Sequence, residues 1–123
     1  MGRSAQILLV IASLALSCAT PAQADPVNAA HYRDFWLWAA VKPQPVLHQA
    51  HTLYLHQGEI ARRQGKTVFL RQGLPASRLR VSALWLSYRI TVLDLSERHL
   101  KRLLKIQEKW RKAGNPVKGI QLD

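Results

Sequence analysis

"VSALWLSYRITVLDLSERHLKRLLKIQEKWRKAGNPVKGIQLD", Val81 to Asp123, is the stretch that decides the fold class. Its opening, Val81–Ser96, is rich in β-branched and aromatic residues and alternates through Leu84, Leu86, Tyr88, Ile90 and Val92. The middle of that run reads as a strand. Ser96 then offers an N-cap, and Glu97 places negative charge in the first helical turn. Leu100, Leu103, Leu104, Gln107 and Trp110 recur at helical spacing. Lys109, Arg111 and Lys112 crowd the last turn, Gly114 suits the position just past the helix, and Pro116 forbids continuation. "VKGIQLD" (Val117–Asp123) is a short apolar strand. Strand, helix and strand make a βαβ unit, which implies a parallel pair joined by a right-handed crossover.

Working upstream, "LPASRLR" is a loop and "TVFLRQG" (Thr67–Gly73) a short strand, with "ARRQGK" a basic turn before it. "HTLYLHQGEI" (His51–Ile60) alternates, with Thr52, Tyr54 and His56 on one face and Leu53, Leu55 and Gln57 on the other. It reads as a strand ending at Gly58. "VLHQA" allows a turn or two of helix, and "KPQP" (Lys42–Pro45) breaks the chain twice. "DFWLWAAV" (Asp34–Val41) is almost continuously apolar and suits a strand buried on both faces. The fold class is therefore α/β: a partial parallel (β/α) barrel-like unit. A whole barrel needs about 250 residues, and the expectation is a unit truncated after a strand.

The first 24 residues read as a signal peptide rather than as domain. Arg3 gives a positive start, "ILLVIASLALSCA" (Ile7–Ala19) is an apolar core too short for a membrane span, and "AQA" (Ala22–Ala24) is a cleavage box. Cleavage after Ala24 leaves 99 of the 123 residues, 25 to 123, in a periplasmic or secreted protein. The membrane is then met only in transit. Cys18, the one cysteine, leaves with the leader, so the mature chain needs no disulfide or thiol chemistry. Net charge is +11, or +10 once Arg3 is gone. Such a chain is drawn to anionic polymers and anionic surfaces.

Sites are sparse. Glu59 and Asp94 stand near strand ends, and Asp123 ends the last strand, so these three are the candidate catalytic carboxylates. Pairing with the many arginines is the competing use of Asp34, Glu59 and Asp94. His48, His51 and His56 lie close in sequence, but their spacing on a short helix and a strand does not converge on a metal, and neither metal nor cofactor is expected. Trp36, Trp38, Trp85 and Trp110 could stack on sugar rings, although Trp36 and Trp38 share a strand face and suit a core. The helix carries Arg98, Lys101, Arg102, Lys105, Lys109, Arg111 and Lys112 opposite its leucines, as the solvated outer helix of an α/β unit does. No phosphate-binding loop, nucleophile elbow or nucleic-acid motif is present.

"HYRDFWLWAAV", "LYLHQGEI" and "GIQLD" together resemble the N-terminal part of an exported bacterial family catalogued as domain of unknown function 3142. "GIQLD" is also similar to the fourth-strand motif of chitinase-like glycoside hydrolases, "DGIDLDWE", with Gly119, Ile120, Leu122 and Asp123 on matching positions. Lys118 and Gln121 replace two of its acids, and the catalytic Glu of that motif falls beyond Asp123. The resemblance implies a barrel, a carbohydrate as partner and no independent catalysis; the net charge adds an anionic polymer as an alternative partner, and the open edges of a partial sheet add a partner chain. From another class, the basic surface suits a small periplasmic protein that binds an anionic polymer or membrane surface.

Overall fold

The computed structural model describes residues 24–123. Cys18 and the rest of the expected signal peptide, up to residue 23, lie outside them. In chain order the elements are a 3-10 turn (Ala29–His31), β1 (Asp34–Leu37), a second 3-10 turn (Pro45–Gln49), β2 (Thr52–Arg63), β3 (Lys66–Arg71), β4 (Ala83–Ile90), α1 (Glu97–Lys112) and β5 (Val117–Leu122). They form one mixed α/β unit. The sheet order is β1-β2-β4-β5, with all three contacts parallel. β3 is a hairpin return that pairs antiparallel with the far half of β2.

The hairpin is closed by Gln64 and Gly65, both at positive φ (49° and 74°), the conformation a tight two-residue turn requires. Two residues of β2 oppose one step of β4 between His56 and Gly58, a β-bulge. β2 therefore does not end at Gly58 as the alternation implied. It runs on to Arg63 because β3 takes up its hydrogen bonds.

The core lies on one side of the sheet. Leu37, Leu53, Leu55, Leu84, Leu86 and Tyr88 point to that side and form one buried cluster with Leu103, Ile106 and Trp110 of α1. Ser96 caps α1, its hydroxyl accepting from the His99 amide. The buried stripe of α1 is Leu103, Ile106, Gln107 and Trp110. Leu100 and Leu104 are exposed (Leu104 at 57%). This corrects the stripe read from sequence. Ile106 shares the buried face with Leu103 and Trp110, and the two outer leucines flank it.

β1 is also shorter and less buried than its apolar run suggested. Ala40 adopts a left-handed φ of 63°, which turns the chain away from the sheet before Lys42 and Pro43. Among the described residues β1 has only β2 as a neighbour, so it is an edge strand there, and Trp38 is 43% exposed.

Candidate functional site

The face of the sheet opposite α1 is built in four cross-strand rows. Alternation fixes which residues reach it, and parallel register aligns them. The first row is Asp34, Thr52 and Ala83. The second is Trp36, Tyr54, Trp85 and Gly119. The third pairs His56, Ser87 and Gln121, with Trp38 flanking His56. In the fourth Glu59 pairs Arg89. The Asp123 amide bonds to the Tyr88 carbonyl (2.9 Å) and its carbonyl accepts from the Ile90 amide (2.7 Å), which sets Asp123 beside Arg89 on the other side.

The bulge makes the fourth row possible. His56 and Glu59 are an odd number of residues apart and would face opposite sides of a regular strand. The extra residue, Gln57, returns Glu59 to the face of His56. Gln57 itself turns to the helix side and is fully buried. Its Oε1 accepts from Trp110 Nε1 (2.7 Å) and Arg71 Nη2 (2.5 Å), and its Nε2 donates to the carbonyls of His56 (3.2 Å) and Leu74 (3.1 Å).

The second and third rows form a continuous aromatic surface. Trp36 stacks on Trp38 (5.3 Å between ring centres) and on Tyr54 (5.2 Å), and Tyr54 on Trp85 (6.3 Å). Trp38 also meets the His56 ring at 5.5 Å, and the Arg89 guanidinium lies 5.9 Å from the Trp38 ring centre. Gly119 gives Trp85 its place, because a Cβ there would stand 2.7 Å from the indole. Trp36 and Trp38 are thus not core, contrary to the reading of their shared strand face. None of Trp36, Tyr54 and Trp85 belongs to the buried cluster, and among the described residues no helix packs on them. Only Trp110 is core.

One cleft of about 340 Å³ is lined by Asp34, Trp36, Tyr54 and Gln121. It runs across the sheet face from β1 to Gln121 of β5. A smaller cleft of about 150 Å³ lies at the strands' C-terminal ends between Trp38, His56, Glu59, Gln72 and Arg89. His56 is 5% exposed, and its Nε2 lies 2.9 Å from Gln72 Oε1. Its Nδ1 and the Tyr88 hydroxyl are buried without a hydrogen-bond partner among the described residues.

Of the three carboxylates singled out in the sequence, Glu59 and Asp123 share the fourth row. At about 4.8 Å per strand their backbones stand about 9.6 Å apart, with Arg89 between them. Asp94 is elsewhere, past β4, where it accepts from Thr67 Oγ1 (3.1 Å) and pairs with Arg62 (3.2 Å). The Thr67 hydroxyl, its own amide and Arg62 hold the Asp94 carboxyl below the usual range. Among the described residues no three of His, Cys, Asp and Glu gather around a point that could hold a metal. His48 is exposed in its 3-10 turn and His51 Nδ1 contacts Thr52 Oγ1 (3.2 Å), so neither joins His56. Sequence reasoning missed Arg89, Gln72 and the bulge. Gly58 inside an alternating run was the available signal for the last of these.

Compared with protein-family models, curated proteins and solved structures, the chain gives no match.

Proposed function

We propose that this chain is part of an exported, glycosidase-like (β/α) barrel whose aromatic sheet face binds a neutral saccharide without catalysis of its own. One observation carries the reading: a row of stacked indole and phenol rings leads into a row of alternating acceptor, donor and acceptor, Glu59, Arg89 and Asp123. A pyranose ring offers C–H groups to an aromatic face. Its hydroxyls both donate and accept, which suits planar charged groups set side by side. Among the described residues Arg89 forms no ion pair, so its donors are available.

The same surface suits nucleic acid poorly. Base-stacking platforms are set in positive grooves, whereas these rows carry Asp34, Glu59 and Asp123 against Arg89 alone. Turnover is also disfavoured. A glycosidase acid sits in an apolar pocket, but Asp123 is exposed and Glu59 stands beside a guanidinium.

Titration of the full chain with neutral β-linked oligosaccharides, followed by tryptophan fluorescence, tests the proposal. Saturable binding should weaken at least about tenfold in Trp38→Ala and in Arg89→Ala, with no cleavage products. Loss of a stacked, hydrogen-bonded contact worth about 1.4 kcal/mol has that effect. Absence of a saturable response, or robust hydrolysis, would overturn it.

The exposed basic side of α1 supports a second reading, contact with an anionic polymer or membrane surface. Glu97 and Glu108 pair only Lys101 and Lys112, which leaves Arg98, Lys105, Lys109 and Arg111 facing water. Binding of this kind should fade at moderate salt, because exposed charges are screened within about 8 Å at physiological ionic strength. Binding that survives high salt would contradict a purely electrostatic contact.

A further inference from the structure

A third cleft, of about 490 Å³, lies on the helix side of the sheet, away from the aromatic rows. Its size falls within the span of about 300–1,000 Å³ seen for small-molecule sites. Leu53 of β2 forms its floor. Leu74, Leu79 and Val81 from the β3–β4 loop make one wall, and Pro43, Pro45 and Leu47 from the β1–β2 connection make the other. Gln44, His48, Arg78 and Arg80 complete the lining, and no acidic residue does.

This shape is held in advance. The Leu79 amide donates to Asn115 Oδ1 (2.8 Å), while Asn115 Nδ2 donates to the carbonyls of Ser77 (2.8 Å) and Trp110 (2.9 Å). Asn115 is buried, so the loop wall is tied to the end of α1. The opposite wall is stiffened by two prolines. Neither Arg78 nor Arg80 shares an ion pair among the described residues.

We infer that this cleft binds a free anionic amphiphile, a straight alkyl chain with one carboxylate head. A trough of aliphatic walls without Trp, Tyr or Phe offers a sugar no broad ring to stack on, but it removes methylenes from water. Two unpaired guanidiniums at its edge, with no acid nearby, fix the sign of the head group. The site is independent of the saccharide face.

The test is titration of the full chain with a ladder of straight-chain carboxylates below their micelle concentrations, read by NMR shifts of leucine methyls. Affinity should rise with chain length, approaching about fourfold per added methylene until the cleft is full. The alcohol of equal length should bind more weakly. Arg80→Gln should reduce that preference for the carboxylate, and Arg78→Gln with Arg80→Gln should remove it, with alcohol binding unchanged in both. Leu79→Asp should abolish binding of both, with near-UV circular dichroism confirming that the tryptophan packing persists. Affinity independent of chain length, equal binding of carboxylate and alcohol, or binding retained in Leu79→Asp would each overturn the inference. So would a response to anionic phospholipid vesicles but to no member of the soluble ladder, which would assign the arginines to a membrane surface.

Discussion

Gln57→Leu tests the joint between the candidate site and the core. Leucine fills similar space but carries no polar atom. The Trp110 indole N–H, bonded at 2.7 Å to Gln57 Oε1, is then left without a partner in a fully buried position. Such an orphan costs about 1–3 kcal/mol. Arg71 loses its 2.5 Å bond to the same oxygen but keeps the Gln57 backbone carbonyl (2.8 Å) and the Leu74 carbonyl (2.8 Å). That partial loss adds about 1 kcal/mol or more, since bonds to charged groups contribute about 1.5–3 kcal/mol. The expected destabilisation is about 3 kcal/mol, a large share of the roughly 5–15 kcal/mol that holds a domain. The thermal midpoint should fall by about 12–24 °C, at about 4–8 °C per kcal/mol for a domain of this size. Urea unfolding followed by far-UV circular dichroism gives the free energy. A double-mutant cycle with Trp110→Phe isolates its cause, because phenylalanine removes the donor that Gln57→Leu orphans. The second substitution should cost about 1–2 kcal/mol less in the Gln57→Leu background than alone. A coupling within about 0.3–0.5 kcal/mol of zero would refute the reasoning, and the loss would then belong to the bulge or to packing.

Other expectations follow from single contacts. Gly119→Ala puts a Cβ 2.7 Å from the Trp85 ring, so it should shift the tryptophan near-UV spectrum and cost about 1–3 kcal/mol; unchanged spectra and stability would show that the indole has room to move. Asp94 has a folded pKa depressed chiefly by Thr67, so its contribution is present above the unfolded value and lost as pH falls through the folded one. Asp94→Asn should therefore flatten the acid limb of the stability curve, and an unaltered limb would count against it. Burial pushes the Tyr88 phenol far above its usual range, with Arg71 opposing. That raised value adds stability which is complete below about pH 10 and lost as pH rises through the folded pKa. In an alkaline ultraviolet titration Tyr88 should accordingly ionise only as the protein unfolds, and its ionisation in the folded protein near the ordinary phenol value would refute this. Intact mass of exported protein should begin at Asp25, and a retained Met1 or a lipid on Cys18 would exclude cleavage after Ala24.

Local signals in the sequence located most elements and mislocated some of their faces. Ser96 as cap, Gly114 after α1 (φ 93°) and the alternation of β4 all express short-range chemistry, and the structure has each of them. The face of α1 was harder to read, because Leu100 and Leu104 are as apolar as Leu103 and only tertiary packing decides which turn toward the sheet. β1 misled for a related reason. A continuous apolar run suits either a strand covered on both sides or an edge strand whose indoles stack on one another, and periodicity cannot separate the two. The site depended on register. Glu59, Arg89 and Asp123 come from three strands, and no sequence spacing shows that a bulge at Gln57 brings the first into line with the others.

That register also changes what the net charge means. A chain at +11 invites a polyanion as partner. Yet the paired rows of the aromatic face set three carboxylates against one guanidinium, while the helix carries its cations on the opposite side of the sheet. The helix's share of the positive charge is therefore segregated from the surface with the richest stacking chemistry. An anionic ligand approaching that face would meet Asp34, Glu59 and Asp123 at close range, where local charges outweigh a distant helix screened by salt. Bulk charge acts on the molecule as a whole, and the strand period sets which charges stand on the aromatic face. On this reasoning acidic oligosaccharides should bind the aromatic face more weakly than neutral ones of the same length. That order should hold even at low salt, where the whole-molecule charge would favour the opposite.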